Sequence, residues 1–463
     1  MLSLSLSQRP KFPYQRVCVF GAARSGVGAM ALLRHHGIEV VLCDEKPAME
    51  FRSLIRRLRR SYVTFYFGNI DASVLDGCDA LVTSPGIPLE HWLNQEALNR
   101  HIPIISEVEL ASYYAGSPIC AITGTNGKTT TTTLTGQIMA DAGHNAVVSG
   151  NIGRAFSDGV LASQDQSRDT LLITEVSSFQ LECVEIFHPH VATILNFSRA
   201  HEDRYPDMRD YVEAKYRITT NQDENDFLVL NADDPLCVRL AEDSCAQVFW
   251  FSMKKPVERG AYVDGETIYL VEDGQKIPMC TVKDVPIPGT HNIENTLAAV
   301  VMARRMGAEV DSILRTLRKF KGVEHRCEYV GKSKDGVLFY NDSKATNIDS
   351  LEKALLSFDK PIVLVAGGME RNAGYERLSS LIRDKVKKVV LIGEVAPKIQ
   401  KSWGSIVECE LAKGMDDAVK RASASAKEGD IVLLSPAAPS WDMYKSYEER
   451  GKEYKKYVRA VLR

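Results

Sequence analysis

Apolar positions along the chain fall into short β-branched runs separated by stretches of helical period. Arg16 to Phe20 is the first such run; glycines, a helical pattern reaching His36 and a second run from Glu39 to Cys43 follow it. Strand, helix and strand in that order predict a βαβ opening. Further strands are predicted at Ala80 to Val82 and Ile102 to Ile105, alternating with helix-like segments. That alternation is the signature of a small doubly wound α/β domain, which ends near Gly116 to Pro118.

A second unit starts with the run Ile119 to Thr123, passes through a glycine loop into a threonine-rich helix start, and continues through predicted strands at Thr170 to Glu175 and Val191 to Asn196. Residues 245 to 285 lose helical period and read as short β segments, after which Asn292 to Arg305 resumes as a helix. A third unit carries predicted strands at Val337 to Asn341, Pro361 to Ala366, Lys388 to Ile392 and Asp430 to Leu434, each followed by a helical stretch. The expected fold is α/β in three domains. Residues 1–115 form a Rossmann-like domain, residues 116–322 a central parallel sheet of P-loop ATPase type with a small β annex, and residues 323–463 a second Rossmann-like domain.

A length of 463 residues agrees with about three domains. The composition, 44% hydrophobic and 25% charged, is that of a globular protein. A formal charge of −3 argues against a general nucleic-acid or anionic-membrane binder, so anionic ligands must be met by local cations. The ten cysteines show neither a C-x-x-C pair nor a His-Cys cluster, which suggests neither zinc nor a disulfide framework and fits a reducing cytosol. No signal peptide is expected, because the N-terminus carries no basic region before a sustained apolar run and meets Pro10 and Pro13 early. No membrane span is expected, because nowhere do about 18 consecutive apolar residues occur. A cytoplasmic location is therefore expected.

The strongest chemical signal is ITGTNGKTT, Ile122 to Thr130, where a buried-type strand runs into a glycine loop and then a helix. Free backbone N–H groups, a helix N-terminus and a lysine are what a nucleotide phosphate requires. Gly124 and Gly127 let the backbone approach, Lys128 would meet the terminal phosphates, and the Thr129 hydroxyl would ligate Mg²⁺. The common P-loop spacing would place glycine at position 122, where Ile122 stands. That departure disfavours a generic kinase or GTPase. The shortened form resembles the superfamily of Mur ligases and folylpolyglutamate synthetases, which join a carboxylate to an amine at the expense of ATP.

Further strings agree in order and spacing: SPGIP (Ser84 to Pro88), GNIG (Gly150 to Gly153), SSFQLE (Ser177 to Glu182), HEDRYP (His201 to Pro206), GTHNIEN (Gly289 to Asn295), His325-Arg326, NDSKATN (Asn341 to Asn347) and LSPAAPSWDMYKSYEERG (Leu434 to Gly451). Together they resemble the Mur ligases over nearly the whole chain. SSFQLE and NDSKATN are similar to the branch that adds D-glutamate. A whole α/β domain ahead of the phosphate loop sets the chain apart from the folate enzymes.

The resemblance implies that ATP phosphorylates the carboxylate of UDP-N-acetylmuramoyl-L-alanine and that the amine of D-glutamate then displaces phosphate. A Mur ligase with another acceptor, such as L-glutamate, is the alternative. By the same resemblance Lys128, His201, Lys215 and Lys344 are the catalytic candidates, with Lys215 carbamylated. Mg²⁺ is expected on Thr129, Glu175, His201 and Lys215. ATP is assigned to Gly124, Thr125, Asn126, Gly127, Lys128, Thr129, Thr130, Asn295, Arg326 and Asp342. The sugar nucleotide is assigned to Ser25, Asp44, Ser84, Gly86, Asn151 and His201, and a monomer is expected.

For the amino acid the match falls on Lys344, Thr346, Arg371, Ser440 and Tyr447, with two cations for two carboxylates. Two departures touch this pocket. Asn372 replaces the usual glycine after Arg371, and Pro436-Ala-Ala-Pro-Ser440 stands where the family reads Pro-Ala-Cys-Ala-Ser, which removes one backbone donor. The first glycine string, Gly21 to Gly28, resembles a dinucleotide fingerprint only superficially, because its G-x-x-x-x-G-x-G spacing does not fit G-x-G-x-x-G.

Overall fold

The structure, a computed structural model, describes residues 10–58, 63–164, 169–285, 287–370 and 374–463. The chain divides into two compact units, Met1–Asp284 with Ile293–Leu317, and Val285–Asn292 with Arg318–Arg463.

The first unit opens on strands β1 (Arg16–Phe20), β2 (Glu39–Asp44), β3 (Val63–Phe67), β4 (Ala80–Thr83) and β5 (Ile104–Ser106). They pair in parallel in the order β3-β2-β1-β4-β5. Side chains alternate across a strand, so Val17, Val19, Val40 and Leu42 enter one core while Cys18, Phe20, Val41 and Cys43 enter another. Burial on both faces is why these strands read as continuous apolar runs.

Among its described residues the same unit contains nine further strands. They are β6 (Ile119–Thr123), β7 (Asn145–Gly150), β8 (Thr170–Glu175), β9 (Val191–Ile194), β10 (Phe227–Asn231), β11 (Gln247–Ser252), β12 (Gly260–Asp264), β13 (Thr267–Glu272) and β14 (Gln275–Thr281). Their order is β14-β13-β12-β11-β10-β9-β6-β8-β7, parallel from β7 to β12 and closed by two antiparallel pairings. The expected β annex is thus an extension of the main sheet. β6 lies between β8 and β9, so the chain order reverses there and the loops leaving these three strands open a crevice.

The two sheets of this unit are joined by close helix packing. Helices Arg24–His35 and Glu107–Tyr114 rest on helix Phe156–Gln164. A Cβ at Gly28 would lie 2.6 Å from Ser157 Oγ and 2.9 Å from the Ala155 Cβ, so only glycine admits this approach. Fully buried Glu107 accepts from the Ser157 N–H and hydroxyl at 2.5 Å each.

The second unit holds β15 (Glu328–Lys332), β16 (Leu338–Asn341), β17 (Ile362–Gly367), β18 (Val386–Ile392), β19 (Glu408–Leu411) and β20 (Ile431–Leu434), in the order β15-β16-β20-β17-β18-β19. Among the described strands of this sheet only β15 runs antiparallel. β20 sits between β16 and β17, which again gathers three loops at one edge.

The strands that escape the periodicity reading are mostly sheet edges: β3, β7, β15 and β19. β3 alternates between partly buried and exposed residues instead of forming an apolar block. Among the described residues no helix is long and apolar enough to cross a membrane.

Candidate active site

β6 is buried throughout and delivers the chain into Gly124 and Gly127, whose φ angles are 144° and 85°. Both glycines are required sterically as well as conformationally. A Cβ at Gly124 would lie 2.9 Å from the Leu195 Cβ, and one at Gly127 would lie 2.0 Å from Asn295 Oδ1. Gly127 caps helix Lys128–Asp141 in the left-handed conformation. In the threonine run that follows, Thr132 and Thr133 donate their hydroxyls to the carbonyls of Lys128 and Thr129 at 2.9 and 2.8 Å, so these side chains find partners within the helix.

The loop after β9 braces this turn. Thr125 N–H donates to the Asn196 carbonyl and Asn126 N–H to Asn196 Oδ1, both at 2.9 Å. Lys128 folds back over the loop and donates from Nζ to the carbonyls of Gly124 and Thr125 at 2.7 and 3.0 Å. A phosphate entering the turn would compete for that ammonium.

Lys215, on helix Met208–Tyr216, donates to the same Gly124 carbonyl at 3.1 Å and lies 4.5 Å from the centre of the Tyr211 ring. Its side chain is buried. That burial, with the neighbouring Lys128 charge, pulls its ammonium well below the usual lysine range, against the opposing pull of Glu175. His201, at φ 56°, is held below the ordinary imidazole range by partial desolvation and by Lys128 and Lys215.

Glu175 ends β8 and is itself buried. Its Oε1 accepts from Asn151 Nδ2 at 2.9 Å, whereas Oε2 is buried with no partner. An unpaired carboxylate oxygen in the interior is costly unless something cationic meets it. Oxygen donors of this kind suit Mg²⁺, so the residues present fit that ion.

Asn151 belongs to the Gly150–Gly153 turn, where Arg24 from the first sheet's helix also docks. Arg24 donates to the carbonyls of Gly153 at 2.9 Å and Asn151 at 3.1 Å. In that first sheet Asp44 accepts from the backbone N–H groups of Ala22 and Lys46 at 2.8 and 2.9 Å. Ser84 packs under Gly21, where a Cβ would lie 2.5 Å from Ser84 Oγ. Ser25 is half-buried and Gly86 exposed.

In the second unit Asp342 and Lys344 lie in the loop after β16. Asp342 is buried, which pushes its carboxyl up to about 7 even though Ser435 Oγ at 2.9 Å and Cys327 N–H at 3.2 Å donate to it. The Arg326 charge opposes that rise. Lys344 lies 5.9 Å from the Tyr447 ring centre, and its N–H donates to the His325 carbonyl at 3.0 Å. Thr346 closes the turn with an N–H to the Lys344 carbonyl at 2.9 Å. Ser440, in the loop after β20, is buried. Arg371 and Asn372 lie outside the described residues.

The structure therefore brings together Gly124 to Thr130, Glu175, His201, Lys215 and Asn295 in the first unit, and Arg326, Asp342, Lys344 and Tyr447 in the second. Two of the family-like strings prove to be structural at several positions. Ser177 and Gln180 form a capping box, and Glu182 accepts from Arg204 and Tyr205, so SSFQLE and HEDRYP hold one another in place. Arg24, Asn196, Tyr211 and Arg450 escaped the sequence reading because their partners are distant in sequence and several are backbone groups.

A glycine loop set between strand and helix, preceded by one nucleotide-type sheet and followed by another, defines the three-part architecture of amide-forming ligases. The chain belongs to the Mur ligase family: residues 15–106 match the Mur ligase MurD-like N-terminal domain, 122–303 the Mur ligase middle domain, and 325–438 the Mur ligase glutamate ligase domain. It is 42% identical over 449 residues to the UDP-N-acetylmuramoylalanine--D-glutamate ligase of Caldicellulosiruptor saccharolyticus, covering 96% of this chain and 98% of that relative. It is 41% identical to the enzyme of the same name from Shouchella clausii, with 97% and 98% covered. Among solved structures it is similar to the UDP-N-acetylmuramate-alanine ligase MurC of Thermotoga maritima, with a TM-score of 0.60, 17% identity and 96% and 99% covered. It is also similar to a pseudomurein peptide ligase type C of Methanothermus fervidus, with a TM-score of 0.57, 18% identity and 97% and 99% covered. These two likenesses show the fold.

Proposed function

We propose that this chain is an ATP-dependent ligase that adds D-glutamate to UDP-N-acetylmuramoyl-L-alanine through an acyl phosphate, releasing ADP and phosphate. The observation that carries the chemistry is the meeting of the phosphate loop, two lysines and the buried, unpaired Glu175 Oε2. The acceptor follows from full-length likeness to enzymes named for D-glutamate.

A carboxylate is a poor electrophile, and phosphorylation gives it a leaving group. Backbone N–H groups from Gly124 to Thr130 and the Lys128 ammonium hold the nucleotide's phosphates; the family resemblance assigns Asn295, Arg326 and Asp342 to ATP binding as well. Mg²⁺, when bound, shields the phosphates from the incoming carboxylate; Thr129, Glu175, His201 and carbamylated Lys215 would hold it. Burial beside Lys128 favours the neutral amine of Lys215, the form that adds carbon dioxide.

Ser25, Asp44, Ser84, Gly86, Asn151 and His201 are assigned to the sugar nucleotide on residues 1–115 and the adjoining loops of residues 116–322. Lys344, Thr346, Arg371, Ser440 and Tyr447, on residues 323–463, are assigned to the two carboxylates and the amine of D-glutamate. The amine attacks the acyl carbon, phosphate leaves with the bonding pair, and the ammonium proton passes to solvent or phosphate.

The test is phosphate release with UDP-N-acetylmuramoyl-L-alanine, ATP and a panel of D- and L-amino acids. Turnover confined to D-glutamate is expected. Turnover with L-glutamate or lysine but not with D-glutamate would overturn the acceptor while leaving the ligase chemistry in place.

A further inference from the structure

We propose that Arg450 is the positioning residue of the acceptor site, a buried guanidinium that sets the placement of the loops carrying Lys344 and Ser440 relative to the end of β17. The inference rests on the reading of those loops as the amino-acid site.

Arg450 lies one turn into helix Tyr447–Val461 and is 1% exposed. Its Nε donates to Ser343 Oγ at 3.0 Å and its Nη2 to the Ser343 carbonyl at 2.9 Å. Its Nη1 donates to the Ala438 carbonyl at 3.0 Å and the Gly367 carbonyl at 3.4 Å. Ser343 Oγ in turn donates to the Tyr447 carbonyl at 2.8 Å. One side chain thus reaches the residue before Lys344, the residue two before Ser440, and the end of β17, while Ser343 ties the start of its own helix to the same knot.

The loops meet closely around it. Met369 N–H donates to the Pro439 carbonyl and Gly367 N–H to the Pro436 carbonyl, both at 2.9 Å. A Cβ at Gly368 would lie 2.1 Å from the Pro439 oxygen and 3.0 Å from Arg450 Nη1. Among the described residues every hydrogen-bond acceptor of the guanidinium is a carbonyl or a hydroxyl, and the carboxylates of Asp442 and Asp342 act on it through charge alone.

A core that needed only volume would be filled at less cost by an apolar side chain. What arginine adds is a rigid fork whose donors point in fixed directions, which suits holding several carbonyls at set distances. Asp342, assigned to ATP, has anchors of its own in Ser435, Cys327 and the Leu434 carbonyl. The Arg450 charge also reaches Asp342; a lysine keeps that charge and loses the fork, so Arg450→Lys acts on the amino-acid loops and leaves the anchors of Asp342 standing.

The experiment compares wild type with Arg450→Lys and Arg450→Met. It measures steady-state kinetics for each substrate, thermal unfolding, and hydroxylamine capture of the acyl phosphate without amino acid. In that capture the hydroxylamine nitrogen attacks the acyl carbon and phosphate leaves, so no acceptor site is needed. In Arg450→Lys the acceptor KM is expected to rise about tenfold or more, since small misplacements of binding groups are costly. The KM values for ATP and the sugar nucleotide and the hydroxamate yield should stay within about twofold.

Equal rises in all three KM values, a proportional loss of hydroxamate, or an unchanged acceptor KM in folded Arg450→Lys would overturn the proposal. If Arg450→Met fails to fold, Arg450→Lys still decides, because it keeps the charge and loses the fork. The acceptor used is whichever amino acid the wild type turns over, so failure of the D-glutamate reading shows in the wild type and failure of the Arg450 proposal shows only in the variants.

Discussion

Asn151 holds Glu175 twice, donating Nδ2 to Oε1 at 2.9 Å and its backbone N–H to the Glu175 carbonyl at 2.8 Å. The carboxylate is thereby fixed in orientation, with Oε2 buried and unpaired, and on the proposed reading that oxygen meets the metal ion. Glu175→Gln keeps the shape and removes the charge. It should lower turnover by about a hundredfold or more and raise the Mg²⁺ requirement. Asn151→Ala, which frees the carboxylate to rotate, should weaken apparent Mg²⁺ affinity by about tenfold to a hundredfold. Titrating Mg²⁺ in the phosphate-release assay checks both, and an unchanged Mg²⁺ curve in Glu175→Gln removes that residue from the metal site.

Gly127→Ala should abolish ATP binding before it unfolds the chain. Left-handed backbone costs alanine about 1–2 kcal/mol, and the added Cβ would collide with Asn295 Oδ1. Calorimetric titration of ATP together with a thermal melt separates the two effects. Wild-type ATP affinity in this variant would show that the turn has more room than its geometry allows.

Lys215 should require carbon dioxide. Lys215→Ala is expected to be inactive and to recover part of its turnover when a short-chain carboxylic acid is supplied. The wild type should lose a carbamate's mass on acidification. Absence of both rescue and mass change would leave Lys215 as a buried amine beside the loop.

Glu107 predicts a pH dependence of stability. Burial pushes its carboxyl up to about 7 from an ordinary 4.5, so the folded state binds more protons than the unfolded chain between those values. Stability then falls as pH rises through that window, by at most about 3 kcal/mol, and the full penalty stands above it. Glu107→Gln should flatten the fall, and its advantage over wild type should grow from pH 5 to pH 8 in thermal midpoints. Parallel curves for the two proteins would show that Glu107 is ionised throughout.

Arg24→Ala should raise the KM for the sugar nucleotide and spare that for ATP. Arg24 bonds the carbonyls of Asn151 and Gly153, so its loss frees the turn that faces the first sheet without touching Gly124 to Thr130. An effect of about tenfold is expected from two charged hydrogen bonds in a partly solvated setting. An equal rise in both KM values would make Arg24 a stability residue only.

Much of the fold was legible in the chain because its cause is local. β1, β6 and β8 are buried on both faces, and their apolar blocks mark the observed strands residue for residue. The phosphate loop was legible for the same reason, since two glycines, a lysine and a helix start are adjacent in sequence and the conformation they need is their own. Sheet edges such as β3 and β19 were not, because half-exposed strands carry no such block.

What only the tertiary structure decided is which groups lose water and which find partners. Residue type alone reads Lys215 as a surface lysine and Glu175 as a solvated acid; folding buries both, leaves one carboxylate oxygen unpaired, and sets the lysine beside Lys128. Arg450 looks like any charge on an amphipathic helix until three distant loops bring their carbonyls to it. Burial and hydrogen bonding between distant segments depend on the packed chain, whereas periodicity and turn chemistry belong to a few neighbouring residues.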